Sequence, residues 1–179
     1  MKLTGPQFIS QLREKLQFDI GRHLYGVLGT YKQLAQFERE DLRQARMPDG
    51  ALFPRPINLN KTLLDNIADE DLRRLVRDEA RRPHTAQSRL NQELDAVLGE
   101  LLKNTNFLIV KQIELLFAYN LDLSVFRTRA SNQHHMLLLL PGARRGEQVN
   151  LFQDADPRFH RLLIPNLIAD NHLWELSSK

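Results

Sequence analysis

Arg129 and His134 are separated by four residues, a spacing that could serve phosphodiester chemistry. An arginine can stabilise the negative charge of a phosphate, and a histidine can donate or accept a proton near neutral pH. The pair could therefore take part in cleavage of a phosphodiester. However, Ala130 follows the arginine and His134 begins an apolar segment. Chance spacing is the other interpretation, and it is the one we favour.

Nucleotide chemistry would require a phosphate-binding loop of the form GxxxxGK[ST] between a strand and a helix. Gly21 and Gly26 reproduce the spacing of its two glycines, but Val27 and Leu28 stand where the lysine and the hydroxyl residue belong. We interpret this spacing as coincidence. The sequence predicts no nucleotide hydrolysis and no cofactor.

A stripe of arginines on a predicted helix could contact the phosphates of a nucleic acid. Its members are Arg73, Arg77 and Arg81, with Arg74 and Arg82 beside them. Asp78 and Glu79 dilute this positive charge, so a solvated helix face is the alternative. Arg144 and Arg145, in a predicted exposed turn, would provide a second phosphate contact.

Metal binding is not predicted. His134 and His135 are adjacent, so on a strand their side chains point to opposite faces and do not readily share one metal ion. His160 and His172 lack ligand spacing to either. The chain has no cysteine, which excludes disulfides, thiolate nucleophiles and Cys-ligated zinc.

Trp174, near the end of the chain, has two interpretations. Tryptophan is favoured at the centres of protein interfaces, so its indole ring could anchor a partner. It could equally close the edge of a sheet by packing in the core. We favour the second interpretation and keep the first as a candidate partner contact.

The composition is that of an ordinary globular protein, with 42% hydrophobic and 26% charged residues among 179. We expect a single domain. A net charge of +3 permits a nucleic-acid partner but does not require one. The N-terminal residues lack the apolar run of a signal peptide, and the apolar segment 107–117 is interrupted by Lys111 and Glu114. We therefore expect a cytoplasmic protein with no membrane partner.

Residues 1–104 are predicted to be mainly helical. A capping box at residues 4–7 begins a first helix that runs to about Gly21, and apolar spacing predicts a second helix from Tyr31 to Ala45. The apolar, glycine-punctuated segment LYGVLGTY lies between them. Shorter helices follow, capped by Asn58 or Asn60 and by Asp69. The clearest helix has an apolar stripe of Leu90, Leu94, Val97, Leu98, Leu101 and Leu102.

Residues 105–179 are predicted to form the sheet portion of an α/β fold. The apolar pattern predicts strands at 107–117 and 134–140, with a short helix at 121–130 between them. This order implies that the two strands are parallel. A further strand is predicted at 148–153, followed by a mixed tail from 162 to 176. The predicted architecture is a helical N-terminal half packed on a small, mainly parallel sheet.

Three segments of the chain carry a resemblance to a known family: Ile113-Glu114-Leu115-Leu116-Phe117, the apolar run Met136–Gly142 and, before the second half, Ile57-Asn58-Leu59-Asn60. Together they resemble the small P-loop protein of BREX-type bacteriophage-defence systems, mainly over the second half of the chain. Lys111 stands where that family has a strand Asp, and the phosphate loop is missing. The resemblance therefore implies a degenerate nucleotide fold in a defence context, which acts by binding rather than by hydrolysis.

From these observations we expect a non-catalytic accessory subunit of a bacterial phage-defence or genome-maintenance complex. It would bind a larger protein partner and could also bind DNA. Two alternatives remain. The RxxxxH spacing is similar to that of a large class of helical ribonucleases of defence and toxin systems, which implies an RNA-cleaving enzyme that uses Arg129 and His134. The arginine stripe alone would imply a plain nucleic-acid-binding module.

Overall fold

A mainly parallel sheet forms the centre of the molecule in a computed structural model that describes residues 2–18 and 21–177. Across the sheet, the parallel strands are β1 (Lys2–Leu3), β8 (Leu173–Leu176), β2 (Leu24–Gly29), β5 (His135–Arg145), β4 (Phe107–Lys111) and β3 (Ile57–Asn58). The end of β5 pairs antiparallel with β6 (Gln148–Leu151), which pairs antiparallel with β7 (Arg161–Leu162). The α/β class predicted from the sequence is confirmed.

Helices cover both faces of this sheet. They are α1 (Gly5–Leu16), α2 (Tyr31–Glu40), α3 (Leu59–Asp65), α4 (Asp69–Arg81), α5 (Pro83–Lys103), α6 (Glu114–Ala118) and α7 (Ser124–Arg129). α1 and α2 bury apolar residues against one face, whereas α3, α5, α6 and α7 pack against the other. The predicted helical portion, residues 1–104, also contributes β1, β2 and β3 to the sheet.

Successive side chains of the central strands point to opposite faces of the sheet, so the core is divided into two layers. In β2, Leu24 and Leu28 face the layer of α5, while Tyr25 and Val27 face the layer of α1 and α2. Every residue of β2 is buried, as expected for a parallel strand that is covered on both sides. The apolar stripe of α5 lies on the first of these layers, and the helix predicted there is confirmed.

Strand β2 was not predicted, because its glycines are disfavoured in strand interiors. Gly26 is required here by close packing. A Cβ atom at this position would lie 2.6 Å from a methyl carbon of Leu173 and 2.7 Å from one of Ile168. Both neighbours come from the last part of the chain, so the need for glycine is a tertiary effect.

Strand β4 is shorter than the predicted strand 107–117. It ends at Lys111 because Gln112 has φ 54°, in the left-handed region, and α6 begins at Glu114. The second predicted strand is longer than expected, since β5 runs to Arg145. The predicted strand 148–153 ends at Leu151, where Phe152 has φ 60°. The order strand, helix, strand does give parallel pairing of β4 and β5.

Two predicted helices in the first part of the chain end early. α1 ends at Leu16 rather than near Gly21, and residues 19 and 20 of that prediction lie outside the described residues. α2 ends at Glu40 and is followed by a 3-10 turn at Leu42–Gln44, so the helix does not reach Ala45. The predicted cap of α1 is present, with the Thr4 amide donating to the Gln7 side chain at 2.9 Å.

The tail from residue 162 to 176 contributes more to the fold than its mixed pattern indicated. Its last strand, β8, lies between β1 and β2 and pairs with both. A short 3-10 turn at Asp170–His172 leads directly into it. In the described part of the chain, no helix is both long enough and apolar enough to cross a membrane.

Candidate functional site

The carboxyl-terminal ends of β2, β3 and β4 bring polar side chains together at one edge of the sheet. α2 follows β2 on one face, whereas α3 and α6 follow β3 and β4 on the opposite face. Open parallel sheets bind ligands where the connecting helices change face in this way. Tyr31, Asn60 and Glu114 meet at this edge, which is the candidate functional site.

The Glu114 carboxylate is at the centre of a hydrogen-bond network. The Tyr31 hydroxyl donates to its Oε1 at 2.9 Å, and the Asn60 amide donates to its Oε2 at 2.7 Å. The side-chain oxygen Oδ1 of Asn60 in turn accepts a hydrogen bond from the Leu115 backbone N–H at 3.1 Å. Glu114 lies at the start of α6, Tyr31 on α2 and Asn60 on α3, so a single carboxylate connects three helices.

The protonation of Tyr31 is fixed by its surroundings. Burial raises the pKa of its hydroxyl, and the hydrogen bond to Glu114 raises it further, with smaller effects from the charges of Glu114 and Asp154. The hydroxyl therefore stays protonated at neutral pH. It acts as a hydrogen-bond donor to Glu114 and is not suited to act as a base or a nucleophile.

Lys111 and Glu38 form an ion pair beside this network. The Lys111 amine contacts the two oxygens of Glu38 at 2.7 and 2.8 Å, and both side chains are partly buried. Lys111 ends β4 and Glu38 lies on α2, so the pair crosses the same edge of the sheet. The resemblance indicated that Lys111 stands where the family has a strand Asp, and here the charge of Lys111 is matched by the Glu38 carboxylate.

The start of α2, where a phosphate could otherwise bind, is capped by the protein itself. The Thr30 hydroxyl accepts from the Gln33 backbone at 3.1 Å, and the Gln33 side chain accepts from the Thr30 backbone at 2.8 Å. Asp154 accepts from the Tyr31 backbone at 3.3 Å. A carboxylate at a helix N-terminus occupies the position that favours an anion.

The two carboxylates at this edge of the sheet both have partners: Glu38 is paired with the cation of Lys111, and Glu114 accepts hydrogen bonds from two neutral groups. Both oxygens of Glu114 accept hydrogen bonds, and both oxygens of Glu38 contact Lys111. A ligand at this edge would have to replace those bonds. The arrangement as it stands holds α2, α3 and α6 against the sheet, and its evident role is structural.

The two glycines with phosphate-loop spacing do not form a loop between a strand and a helix. Gly26 lies inside β2, and Gly21 precedes the strand with φ 115°. The segment that connects β2 to α2 is short and contains Gly29 and Thr30. The structure therefore agrees with coincidence as the explanation of this spacing.

Arg129 and His134 lie near each other, but the arginine is already paired. Its Nε and Nη2 atoms donate to Asp95 Oδ1 at 3.0 and 2.8 Å. Gly99 leaves room for the guanidinium group, since a Cβ there would lie 3.1 Å from Arg129 Nη1. Arg129 and His134 line one surface depression of about 540 Å³. The ion pair joins α7 to α5, which is a structural role for the arginine.

The predicted arginine stripe lies on the outward face of α4. Its exposed members are Arg73, Arg74, Arg77 and Arg81, and Arg82 follows the helix. Leu75 is the buried residue of this helix. Arg74 lies 3.8 Å from Asp71, so it is partly neutralised. Arg73, Arg77 and Arg81 are one helical turn apart, and they form a ridge that is accessible to a phosphate backbone.

Arg144 and Arg145 belong to the end of β5 rather than to the exposed turn that the sequence predicted. The turn itself is formed by Gly146 and Glu147. Arg144 pairs with Asp170 at 3.1 Å, and Arg145 contacts the Gln153 side chain at 3.4 Å. Their role as a phosphate contact stays a prediction.

Trp174 is a core residue. Its side chain is 4% exposed and packs edge-on against Phe8, with ring centroids 5.4 Å apart. Tyr25 lies against it at 6.1 Å. In this structure the indole ring closes the layer between β8 and α1, the second of the two roles considered from the sequence. The indole ring is therefore not exposed to a partner in this structure.

The histidines do not assemble a metal site. In the described part of the chain, no group of three His, Cys, Asp or Glu side chains is placed to hold a metal ion. His135 instead stacks on the buried His23, with ring centroids 4.1 Å apart. His172 stands beside Tyr25 at 4.7 Å.

Two surfaces were not predicted from the sequence. The first, the apolar patch, consists of Phe159, Leu162 and Ile164, which are 57%, 54% and 51% exposed. The second, the arginine groove, lies between α2 and the extended segment 52–56 and is lined by Arg39, Arg43 and Arg55. The signal in the sequence for the first was the run of three apolar residues, Leu162-Leu163-Ile164, because successive side chains of an extended segment point to opposite faces and cannot all be buried on one side. The groove has no regular spacing in the sequence.

Comparison of the chain with models of protein families, with curated proteins and with solved structures gives no match. Function is therefore inferred from the side chains and surfaces of the chain itself.

Proposed function

We propose that this chain is a non-catalytic accessory subunit of a bacterial phage-defence or genome-maintenance complex. It binds a larger protein partner through the apolar patch. The defence context rests on the resemblance of residues 57–60 and 113–142 to the small BREX protein. The binding role rests on surface chemistry, and the single observation that carries it is the exposure of three large apolar side chains within six residues.

The apolar patch has the character of an interface centre. Leu162 and Ile164 both line a small cavity of about 120 Å³ with Arg144. The intervening Leu163 is buried, and its backbone donates to the Val149 carbonyl at 2.9 Å, which fixes the segment on β6. Interface cores combine apolar side chains with arginine, whereas monomeric proteins rarely cluster large exposed apolar residues.

The state of the candidate reactive groups supports binding over catalysis. Arg129 is paired with Asp95, Lys111 with Glu38, and Glu114 with Tyr31 and Asn60. Each of these pairs connects separate helices or strands. These contacts give each of the three groups a role in holding elements together, so their positions need no catalytic explanation.

The test is affinity purification of tagged protein from its native host, with half of each sample treated with nuclease. The parent chain is compared with the variant Leu162→Asp/Ile164→Asp and with the control Val76→Asp. Val76 is similarly exposed, at 59%, but lies on α4. We expect one large protein to be recovered in stoichiometric amount with the parent and the control, and its recovery to fall at least tenfold with the double variant.

Equal recovery of the large protein with all three chains would show that the apolar patch is not the contact. Recovery that disappears with nuclease treatment would remove direct protein binding. Circular dichroism and thermal unfolding of the double variant must match those of the parent, which is expected because both substituted side chains are more than half exposed.

Nucleic-acid binding is a second candidate function, favoured by the outward ridge of Arg73, Arg77 and Arg81 on α4. Binding to a short DNA duplex should weaken steeply as salt rises, because each neutralised phosphate releases counterions. Replacing the three arginines with glutamine should reduce the salt slope by about one unit for each phosphate that is no longer neutralised. Arg127→Gln, on another helix, serves as the control. Affinity that does not depend on salt would exclude this function.

A further inference from the structure

The arginine groove is a concave site that the proposed partner contact does not use. It has a volume of about 560 Å³ and lies between α2 and the extended segment 52–56. Its apolar lining includes Leu42, Leu52 and Phe53, and its polar lining includes Arg39, Arg43 and Arg55. Sites for small organic ligands have a volume of about 300–1,000 Å³ and combine an apolar lining with a few polar groups.

Positive charge in this groove is not balanced by the protein. Within residues 2–18 and 21–177, the side chains of Arg43 and Arg55 make no hydrogen bond and no ion pair. Arg39 forms its hydrogen bond and ion pair, among the described residues, with the neighbouring Glu40 at 3.2 Å. The acidic lining residue, Glu38, is already neutralised by Lys111. An anion that enters the groove therefore meets two unpaired guanidinium groups.

The walls of the groove are held in place before any ligand binds. Phe53 is buried against Phe107, with ring centroids 5.5 Å apart, and its backbone donates to the Ala45 carbonyl at 3.2 Å. Leu42 is buried in the layer of α1 and α2. A preformed site costs little ordering on binding, which favours affinity for a small ligand.

We propose that the arginine groove binds a small organic anion with an apolar body. The apolar part packs on Leu52, which is 54% exposed, above the buried Leu42 and Phe53, and a phosphate, sulfonate or carboxylate group is held by Arg43 and Arg55. The planar fork of arginine matches such groups with two parallel hydrogen bonds. The site is separate from the apolar patch and does not depend on the proposed partner.

The test uses two fluorescent probes that differ in charge. Anilinonaphthalene sulfonate has an aromatic body and one negative group, while N-phenylnaphthylamine has the same body without the charge. We expect the sulfonate to bind the parent chain saturably, with one site, and at least tenfold more tightly than the neutral probe. Inorganic pyrophosphate should displace it.

The variants distinguish binding of the probe in the groove from unspecific adsorption of the probe on apolar surfaces. Arg43→Ala/Arg55→Ala should weaken sulfonate binding at least tenfold and leave the neutral probe unchanged, whereas Leu52→Asp should weaken both probes. Arg127→Ala, an exposed arginine outside the groove, and the patch variant Leu162→Asp/Ile164→Asp should bind the sulfonate as the parent does.

The proposal is overturned by three results. These are no saturable binding of the sulfonate, equal affinity for the two probes, or undiminished sulfonate binding by Arg43→Ala/Arg55→Ala. All the substituted side chains are exposed, so folding should be preserved and is checked by circular dichroism. Failure of the patch to bind a partner would leave these outcomes unchanged, which keeps the two proposals independent.

Discussion

The carboxylate of Glu114 connects three helices at the edge of the sheet. Glu114 is the first residue of α6, and its carboxylate accepts hydrogen bonds from Tyr31 on α2 and from Asn60 on α3. The sequence drew attention to Glu114, Asn60 and Lys111 through a resemblance, but it did not indicate Tyr31 or Glu38 as their partners. Those partners come from another strand and helix unit, and their contact depends on how the sheet is ordered.

The hydrogen bond between Tyr31 and Glu114 should be measurable as a coupling energy. Tyr31→Phe removes the donor and should lower the free energy of unfolding by about 1 kcal/mol. Glu114→Ala removes the acceptor. Because each substitution removes the same bond, Tyr31→Phe should cost less when Glu114 is already alanine, and urea unfolding of the four chains gives the difference. Strictly additive effects would contradict a direct bond.

His172 should make stability depend on pH. Burial lowers the pKa of His172, and the nearby positive charge of Lys15 lowers it further. The unfolded chain, where histidine titrates at about 6.5, then binds a proton more readily than the folded chain. Stability should fall as the pH decreases below that value, down to the pKa of the folded state. Urea unfolding of His172→Gln should show a shallower decline, and an identical decline would contradict this assignment.

At the scale of elements, local pattern predicted some parts of the fold and missed others for definite reasons. α5 was predictable because its apolar residues recur on one face, and β5 because its core is a continuous apolar run. β2 was missed because the reason for Gly26 is the close approach of side chains from the distant tail. β4 was predicted too long because Gln112 adopts a left-handed conformation that its residue type does not indicate.

Leu75 is the fully buried side chain of helix α4, and the partly buried Leu72 packs against the same core. Leu75→Ala should remove about 2–3 kcal/mol of packing, enough to let this helix open locally. Hydrogen exchange should accelerate at the amides of α4 and stay slow in β4. Val76→Ala, at an exposed position of the same helix, should leave both rates unchanged. Acceleration throughout the sheet would show that α4 unfolds only with the whole molecule.

The antiparallel extension of β5 depends on Gly142. A Cβ atom there would overlap the backbone carbonyl oxygen of Asn150 on β6. Gly142→Ala should therefore lower the free energy of unfolding by about 1–3 kcal/mol. Gly146→Asn is the control in the same hairpin, because Gly146 has open space and φ 61°, a conformation that asparagine tolerates. Equal thermal stability of the two variants would contradict the steric argument.

At the scale of the whole molecule, all three tyrosines of the chain are shielded from ionisation. Burial is the main cause of the raised pKa of Tyr25, Tyr31 and Tyr119. Absorbance at alkaline pH should show little phenolate in the native protein at about pH 10, where tyrosine in denaturant is half ionised.

The raised pKa values of the tyrosines also predict the direction in which the stability of the fold changes at alkaline pH. Above a pH of about 10 the unfolded chain has released tyrosine protons that the folded chain retains, so stability falls as the pH rises. Urea unfolding at increasing pH checks this direction. A native titration curve that coincides with the denatured one would contradict the burial of these hydroxyls.

Apart from the parallel pairing of β4 with β5, the order of the strands in the sheet could not be predicted from the sequence. Neighbours in the sheet are far apart in the chain, as for β1 and β8 or β2 and β5. Apolar runs show that a strand is buried but do not specify its partner. The candidate site shares this limit, because Tyr31 and Glu114 meet only when β2 and β4 flank β5.

The position of β8 between β1 and β2 has a consequence for synthesis on the ribosome. β1 pairs with β8, and β2 exposes one edge until β8 arrives. A nascent chain that lacks residues 173–176 therefore leaves β2 with one open edge and β1 without its strand partner. Open strand edges promote association with other chains. The growing polypeptide should consequently be prone to such association until residues 173–176 are available to fill the gap.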